Sequence, residues 1–178
     1  MKLIKVAITG PESTGKSALT KALSAHFHTT FAGEYAREYL SRTNGLYDLQ
    51  DMTRICEGQI ELEETAMANA NEFCFFDTDM LVLKVWSQYR FGLVPAAIEK
   101  NFMQRKYDLH LLCMTDLPWQ PDAFRESPGQ EERDLLYIMY RKVLIDGRRP
   151  FVEISGTGDI RFQQALKALS KTFVLNSR

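Results

Sequence analysis

Eight consecutive residues near the start of the chain, Gly10-Pro11-Glu12-Ser13-Thr14-Gly15-Lys16-Ser17, match the phosphate-loop pattern GxxxxGKS in full. Its glycines let the backbone approach phosphate oxygens closely and point several N–H groups at them. A helix opening near Gly15 adds its positive end. Gly10, Glu12, Ser13, Thr14, Gly15, Lys16, Ser17 and Ala18 are therefore the expected contacts to ATP or a similar triphosphate. Lys16 is expected to reach the β- and γ-phosphates, and the Ser17 hydroxyl to ligate Mg2+. What remains open is the group that receives the phosphate.

Two carboxylates, Asp77 and Asp79, follow the apolar run Phe73-Cys74-Phe75-Phe76. In an open parallel sheet, ligands bind at the carboxyl ends of the strands. A hydroxyl acceptor needs a carboxylate within hydrogen-bond reach, and Mg2+ needs oxygen ligands. The pair can supply both, with Asp77 as base or metal-side ligand and Asp79 as acceptor binder. The plainer alternative for Asp79 is a helix N-cap. Glu34 and Arg37 stand at another carboxyl end and can contact acceptor or phosphate, or pair locally. Arg125 and Arg133 lie in and just behind a proline-rich stretch, where a closing arginine offsets charge developing on a transferred phosphoryl group. Trp119 in the same stretch, and Trp86 beyond Asp79, offer aromatic faces to a cationic ring. Gly156-Thr157-Gly158 sits where a loop can pass the adenine, or is a simple turn.

The elements that position these groups follow from pattern. Strands are expected at about 3–9, 29–32, 73–76, 109–113 and 150–154, with a last one at 172–175. Helices are expected at about 15–27, 34–42, 48–71, 80–92, 95–106, 132–145 and 159–169. Asp48 with Asp51 reads as a capping box. The stretch 115–131 has three prolines and no clear period, and its length suits a lid better than a simple connection. Strands alternating with helices predict an α/β three-layer sandwich on a parallel five-stranded sheet, as in P-loop NTP hydrolases and nucleoside kinases.

The 178 residues fit one domain, 1–178, with a lid at 115–131. A formal charge of -1 gives no basic excess for a nucleic-acid partner. No apolar run is long enough to span a membrane, and the first residues do not form a signal peptide, so an intracellular, cytoplasmic location is expected. A homo-oligomer is compatible with the chain. Cys56, Cys74 and Cys113 are scattered and keep no metal-site spacing with the histidines. They read as small buried hydrophobes.

The ordered set of the phosphate loop, Glu34-Tyr35-Ala36-Arg37-Glu38, Asp77-Thr78-Asp79, Trp86 with Tyr89 and Gly92, Tyr107-Asp108-Leu109, and Asp116-Leu117-Pro118-Trp119 with Asp122 and Arg125 resembles the ribosylnicotinamide kinase domain of bacterial NadR proteins. The resemblance spans nearly the whole chain. It implies transfer of the ATP γ-phosphate to the ribose 5′-hydroxyl of nicotinamide riboside, with Mg2+. It puts Lys16 and Ser17 at ATP–Mg2+, the aspartate pair at the acceptor and metal side, Trp86 and Tyr89 on the substrate side, and Trp119 against the cationic nicotinamide ring. Multifunctional members carry DNA-binding and adenylyltransferase regions before the kinase. With the phosphate loop starting at residue 10, neither is expected here. Ala123 stands where the family pattern has Gly. Other readings are a kinase for another nucleoside or small alcohol, and an ATP-binding regulatory or interaction module.

Overall fold

The computed structural model describes residues 2–173. Its strands are β1 (Ile4–Thr9), β2 (Phe31–Ala32), β3 (Phe73–Asp77), β4 (Leu109–Cys113) and β5 (Phe151–Ile154). Its helices are α1 (Lys16–His26), α2 (Tyr35–Arg42), α3 (Leu49–Ala68), α4 (Met80–Phe91), α5 (Ala96–Gln104), α6 (Gln130–Asp146) and α7 (Asp159–Thr172). The strands form one parallel sheet in the order β2-β3-β1-β4-β5. This is the expected five-stranded α/β sandwich.

Alternation along the strands sends side chains to two cores, as the pleat requires. Val6, Ile8, Phe73, Phe75, Leu109 and Leu111 pack with Leu19 and Leu23 of α1 and Ala165 and Leu169 of α7. On the other face, Ala7, Cys74 and Phe76 pack with Ala66 of α3, and Leu112 with residues of α4 and α6. β3 and β4 are buried at every position, which is why they read as continuous apolar runs rather than alternating ones. Each fully buried Phe or Leu contributes roughly 1.5–3 kcal/mol relative to exposure. All three cysteines are buried and free, as the sequence suggests.

Helix starts follow the capping chemistry. Asp48 accepts hydrogen bonds from the Gln50 and Asp51 amides, and Asp51 accepts one from the Asp48 amide, closing the expected box. α6 begins at Gln130, two residues before expectation, so the irregular connection after β4 runs over 114–129. The strand expected at 172–175 is corrected at its start, since Thr172 continues α7. Val174 and Leu175 lie outside the described residues. Among the described residues, no helix is long and apolar enough to cross a membrane.

The phosphate-loop turn is forced by packing. Gly10 has φ +132°, and a Cβ there would sit 2.7 Å from the Cys113 carbonyl oxygen at the end of β4. Only glycine fits that approach.

Candidate active site

At the carboxyl edge of the sheet lies a cavity of about 870 Å³, within the usual range for a small-molecule site. Its floor is Gly10 to Ala18. One wall is Glu34, Arg37 and Leu40 at α2. Another is Val82, Trp86, Tyr89 and Arg90 of α4, with Glu132, Leu136 and Tyr140 of α6. Part of segment 114–129, including Leu117, Pro118, Gln120, Phe124, Arg125, Glu126 and Ser127, closes over it.

The floor is internally bonded. The Lys16 ammonium and the Thr14 hydroxyl both donate to the Pro11 carbonyl at 2.7 Å. Glu12 reaches up to segment 114–129, its carboxylate accepting from the Glu126 amide (3.1 Å) and the Ser127 amide. The Ser13 hydroxyl accepts from the Gln120 amide at 2.9 Å. Arg125 lies over the floor, donating to the Gln120 carbonyl at 2.6 Å.

On the α2 side, Arg37 donates from Nε to Glu34 (3.0 Å) and from Nη1 to both Asp122 oxygens (2.9 and 3.1 Å). Burial raises the Glu34 pKa above its ordinary value of 4.5, and the charge of Asp77 adds to the rise; Lys16 and Arg37 oppose it without reversing it. The Asp122 pKa is lowered, chiefly by the Phe124 amide and then by Arg37. On the aromatic side, Trp86 donates to the Tyr47 hydroxyl (2.9 Å), which donates to Glu126 (2.8 Å), and Tyr89 donates to Glu132 (2.6 Å).

The two aspartates separate. Thr78 has φ +88°, a strained value for a β-branched residue, and turns the chain between them. Asp77 is 5 % exposed, and its Oδ1 has no partner among the described residues. It pairs in register with Ile8, just before the phosphate loop. Asp79 is 0 % exposed and, like Asp77, is not among the residues that line the cavity. It accepts from the Thr9 hydroxyl and the Val82 amide, both at 3.2 Å, and its Oδ2 lies 3.3 Å from His110 Nε2. Its geometry is that of the helix cap rather than the expected acceptor binder.

Other expected residues also sit off the wall. Arg133 is 2 % exposed and donates to the Leu117 carbonyl (3.0 Å) and to Gln130, tying the two ends of segment 114–129 together. Trp119 is half-buried beside the wall residues Pro118 and Gln120 without joining them. Gly156 and Thr157 form the turn after β5 and do not line the cavity. Lys16, Ser17, Glu34, Arg37, Trp86, Tyr89 and Arg125 do converge on it. Arg90, Glu132 and Tyr140 also line the cavity, beyond the residues the motifs indicate. Their signal was helical spacing, with Arg90 following Val82 and Trp86 at i+8 and i+4, and Glu132, Leu136 and Tyr140 sharing one stripe of α6.

Mg2+ chemistry fits the donors present. Among the described residues no three His, Cys, Asp or Glu side chains converge on a metal position. The donors that would face such an ion are the Ser17 hydroxyl and the unpartnered Asp77 Oδ1.

The parallel sheet with a GxxxxGKS loop between β1 and α1 defines a P-loop α/β fold of the nucleoside- and nucleotide-kinase type. Solved structures agree. A structure of NadR protein in complex with NR superposes with a TM-score of 0.78 at 22% identity, over 98% of this chain and 53% of that one. NadR protein with NAD and AMP-PNP gives 0.77 at 21%, over 98% and 51%. Deoxyadenosine kinase from M. mycoides gives 0.64 at 14%, over 94% and 100%. The family described as an AAA domain (AAA_28) matches residues 5–161, and the chain belongs to that family. The trifunctional NAD biosynthesis/regulator protein NadR of Salmonella typhimurium and that of Escherichia coli are each 28% identical over 153 residues, 84% of this chain. The match spans 37% of those relatives' length.

Proposed function

We propose that this chain transfers the γ-phosphate of ATP to the ribose 5′-hydroxyl of nicotinamide riboside, giving nicotinamide mononucleotide for NAD salvage in the cytoplasm. Residues 1–178 act as one kinase domain, and the 115–131 segment is its lid. The observation that carries the reading is a single cavity joining the phosphate loop to a wall bearing Trp86 and Tyr89. A switch ATPase has no use for a roomy aromatic chamber beside its phosphates. The similarity to NadR supports the choice of acceptor.

The roles follow from placement. The loop amides and Lys16 hold the β- and γ-phosphates, with Lys16 leaving the Pro11 carbonyl when phosphate arrives. Arg125, on the lid, offsets charge on the transferring group. Glu34 takes the proton of the acceptor hydroxyl, because it lines the cavity and Asp77 does not. Arg37 orients Glu34 and ties it to the lid through Asp122. Asp77 and Ser17 would hold Mg2+, which when bound neutralises charge on the phosphates. The Trp86 and Tyr89 faces suit a flat cationic ring.

The test is ATP-dependent phosphorylation across nicotinamide riboside, nicotinic acid riboside, standard nucleosides and no acceptor. Nicotinamide mononucleotide matched by ADP release is expected. ADP release with no phosphorylated product would overturn the acceptor assignment and favour a regulatory ATPase.

A further inference from the structure

Arg161 occupies the first turn of α7, the wrong end of a helix for a cation. It is nevertheless 4 % exposed. Its guanidinium donates to the Ile154 carbonyl at the end of β5 (3.1 Å), to the Met114 carbonyl just past β4 (3.1 Å), and to one oxygen of Asp116. The other Asp116 oxygen accepts from the Gly156 amide at 2.5 Å. The Arg161 Cδ lies 4.0 Å from where a Cβ on Gly15 would be, so its stem backs the phosphate loop. Buried charge persists only when paired and hydrogen-bonded. Here one arginine joins two strand ends, the root of segment 114–129 and the turn after β5.

Sheet order says what that turn is for. β3 and β2, carrying Asp77 and leading to Glu34, lie on one side of β1; β4 and β5 lie on the other. A triphosphate seated between β1 and α1 with its γ-phosphate toward Glu34 must direct its base to the β4–β5 side. There stand Ser155 to Gly158, where φ is +83° at Gly156 and +50° at Gly158.

We propose that Arg161, through Asp116, is a positioning residue for the nucleotide base: it fixes the 155–158 turn and the start of the lid at the spacing the base requires. The inference rests on the kinase reading for the orientation of ATP, but not on the identity of the acceptor. The variants are Arg161→Lys, which keeps the charge and cannot span three acceptors, and Asp116→Asn, which keeps the shape. Binding of ATP, GTP and inorganic triphosphate is measured directly, without acceptor. Both variants are expected to weaken ATP roughly tenfold or more and to change the ATP-to-GTP ratio, while triphosphate binds as before. ATP affinity and ATP-to-GTP ratio unchanged in both variants would overturn the proposal. So would an equal loss for triphosphate, which would mean that the arginine only supports the phosphate loop or the fold. Because these readouts need no acceptor, failure of the nicotinamide riboside assay would leave them standing.

Discussion

At the scale of single residues, the carboxylates near the phosphate loop divide by environment rather than by sequence position. Glu34 faces the cavity with a raised pKa, the condition of a base poised to take a proton. Glu34→Gln is expected to lower kcat by about 10²–10⁴-fold. A base must be unprotonated, so wild-type kcat/KM should rise with pH through a point above 4.5, and the variant should lose that limb. A variant with an unchanged pH–rate profile would remove Glu34 from the proton transfer. Asp77 and Asp79 make a sharper pair. Asp77→Asn should cut kcat by orders of magnitude while ATP still binds. Asp79→Ala should cost about 0.5–2 kcal/mol of stability through the lost α4 cap and leave kcat within a few-fold. Steady-state kinetics with urea unfolding separates the two, and the reverse pattern would exchange their roles. The sequence put both aspartates at the right sheet edge because an apolar run ending in Asp-Thr-Asp marks a buried strand and its exit. It does not carry the strained φ of Thr78 between them, nor that Asp79 is bonded to Thr9 and Val82 while Asp77 Oδ1 stays unpartnered.

At the scale of elements, the pattern carried far because each segment's period, caps and breakers agreed. The Asp48 box, the Gly92 end of α4 and the Pro95 start of α5 are all local chemistry, and all appear within a residue or two of expectation. The 114–129 connection was legible as irregular, but not its contacts, because Glu12 meets Glu126 and Ser127 more than a hundred residues away. That Arg133 and Trp119 do not line the cavity is hidden from the sequence for the same reason. Neighbours in the chain such as Glu132, Pro118 and Gln120 reach the cavity, while Arg133 is bonded to the Leu117 carbonyl and Gln130. Glu12 is the clasp between floor and cover, since its one carboxylate accepts two amides of the segment. Glu12→Ala should leave the fold intact and let the segment open more often. Trypsin cleavage after Arg125 should then speed up several-fold in the nucleotide-free protein. A rate equal to wild type would mean that Arg37–Asp122 and Ser13–Gln120 suffice to hold it.

At the scale of the whole molecule, carboxylates raised by burial and carboxylates lowered by hydrogen bonds pull stability in opposite directions as pH changes. Opposite the cavity, Glu63 of α3 is buried, accepting from the Tyr107 hydroxyl (2.9 and 3.0 Å) and from Arg105 Nε (2.9 Å). Burial outweighs Arg105 and pushes its pKa up to about 7. A carboxyl whose folded pKa exceeds its unfolded 4.5 keeps its proton longer in the fold. Below pH 4.5 both states are protonated. Between 4.5 and about 7 the unfolded chain gives up the proton first, so stability falls as pH rises and then levels. At 1.36 kcal/mol per pH unit the loss reaches roughly 3 kcal/mol at most. Glu34 acts in the same direction. Asp51 and Asp122, held below 3.8 by the Tyr39 hydroxyl and the Phe124 amide, act in the other direction, losing their contribution as pH falls through their lowered pKa values. Stability should therefore peak at about pH 4, below the neutral range in which the enzyme would work. Urea unfolding at about pH 4 and about pH 8 tests this. Glu63→Gln should match wild type at the lower pH, because Gln mimics the protonated acid, and exceed it at the higher one. A wild-type profile that stays flat, or a variant that falls as steeply, would show that Arg105 holds Glu63 ionised and that burial is the smaller effect.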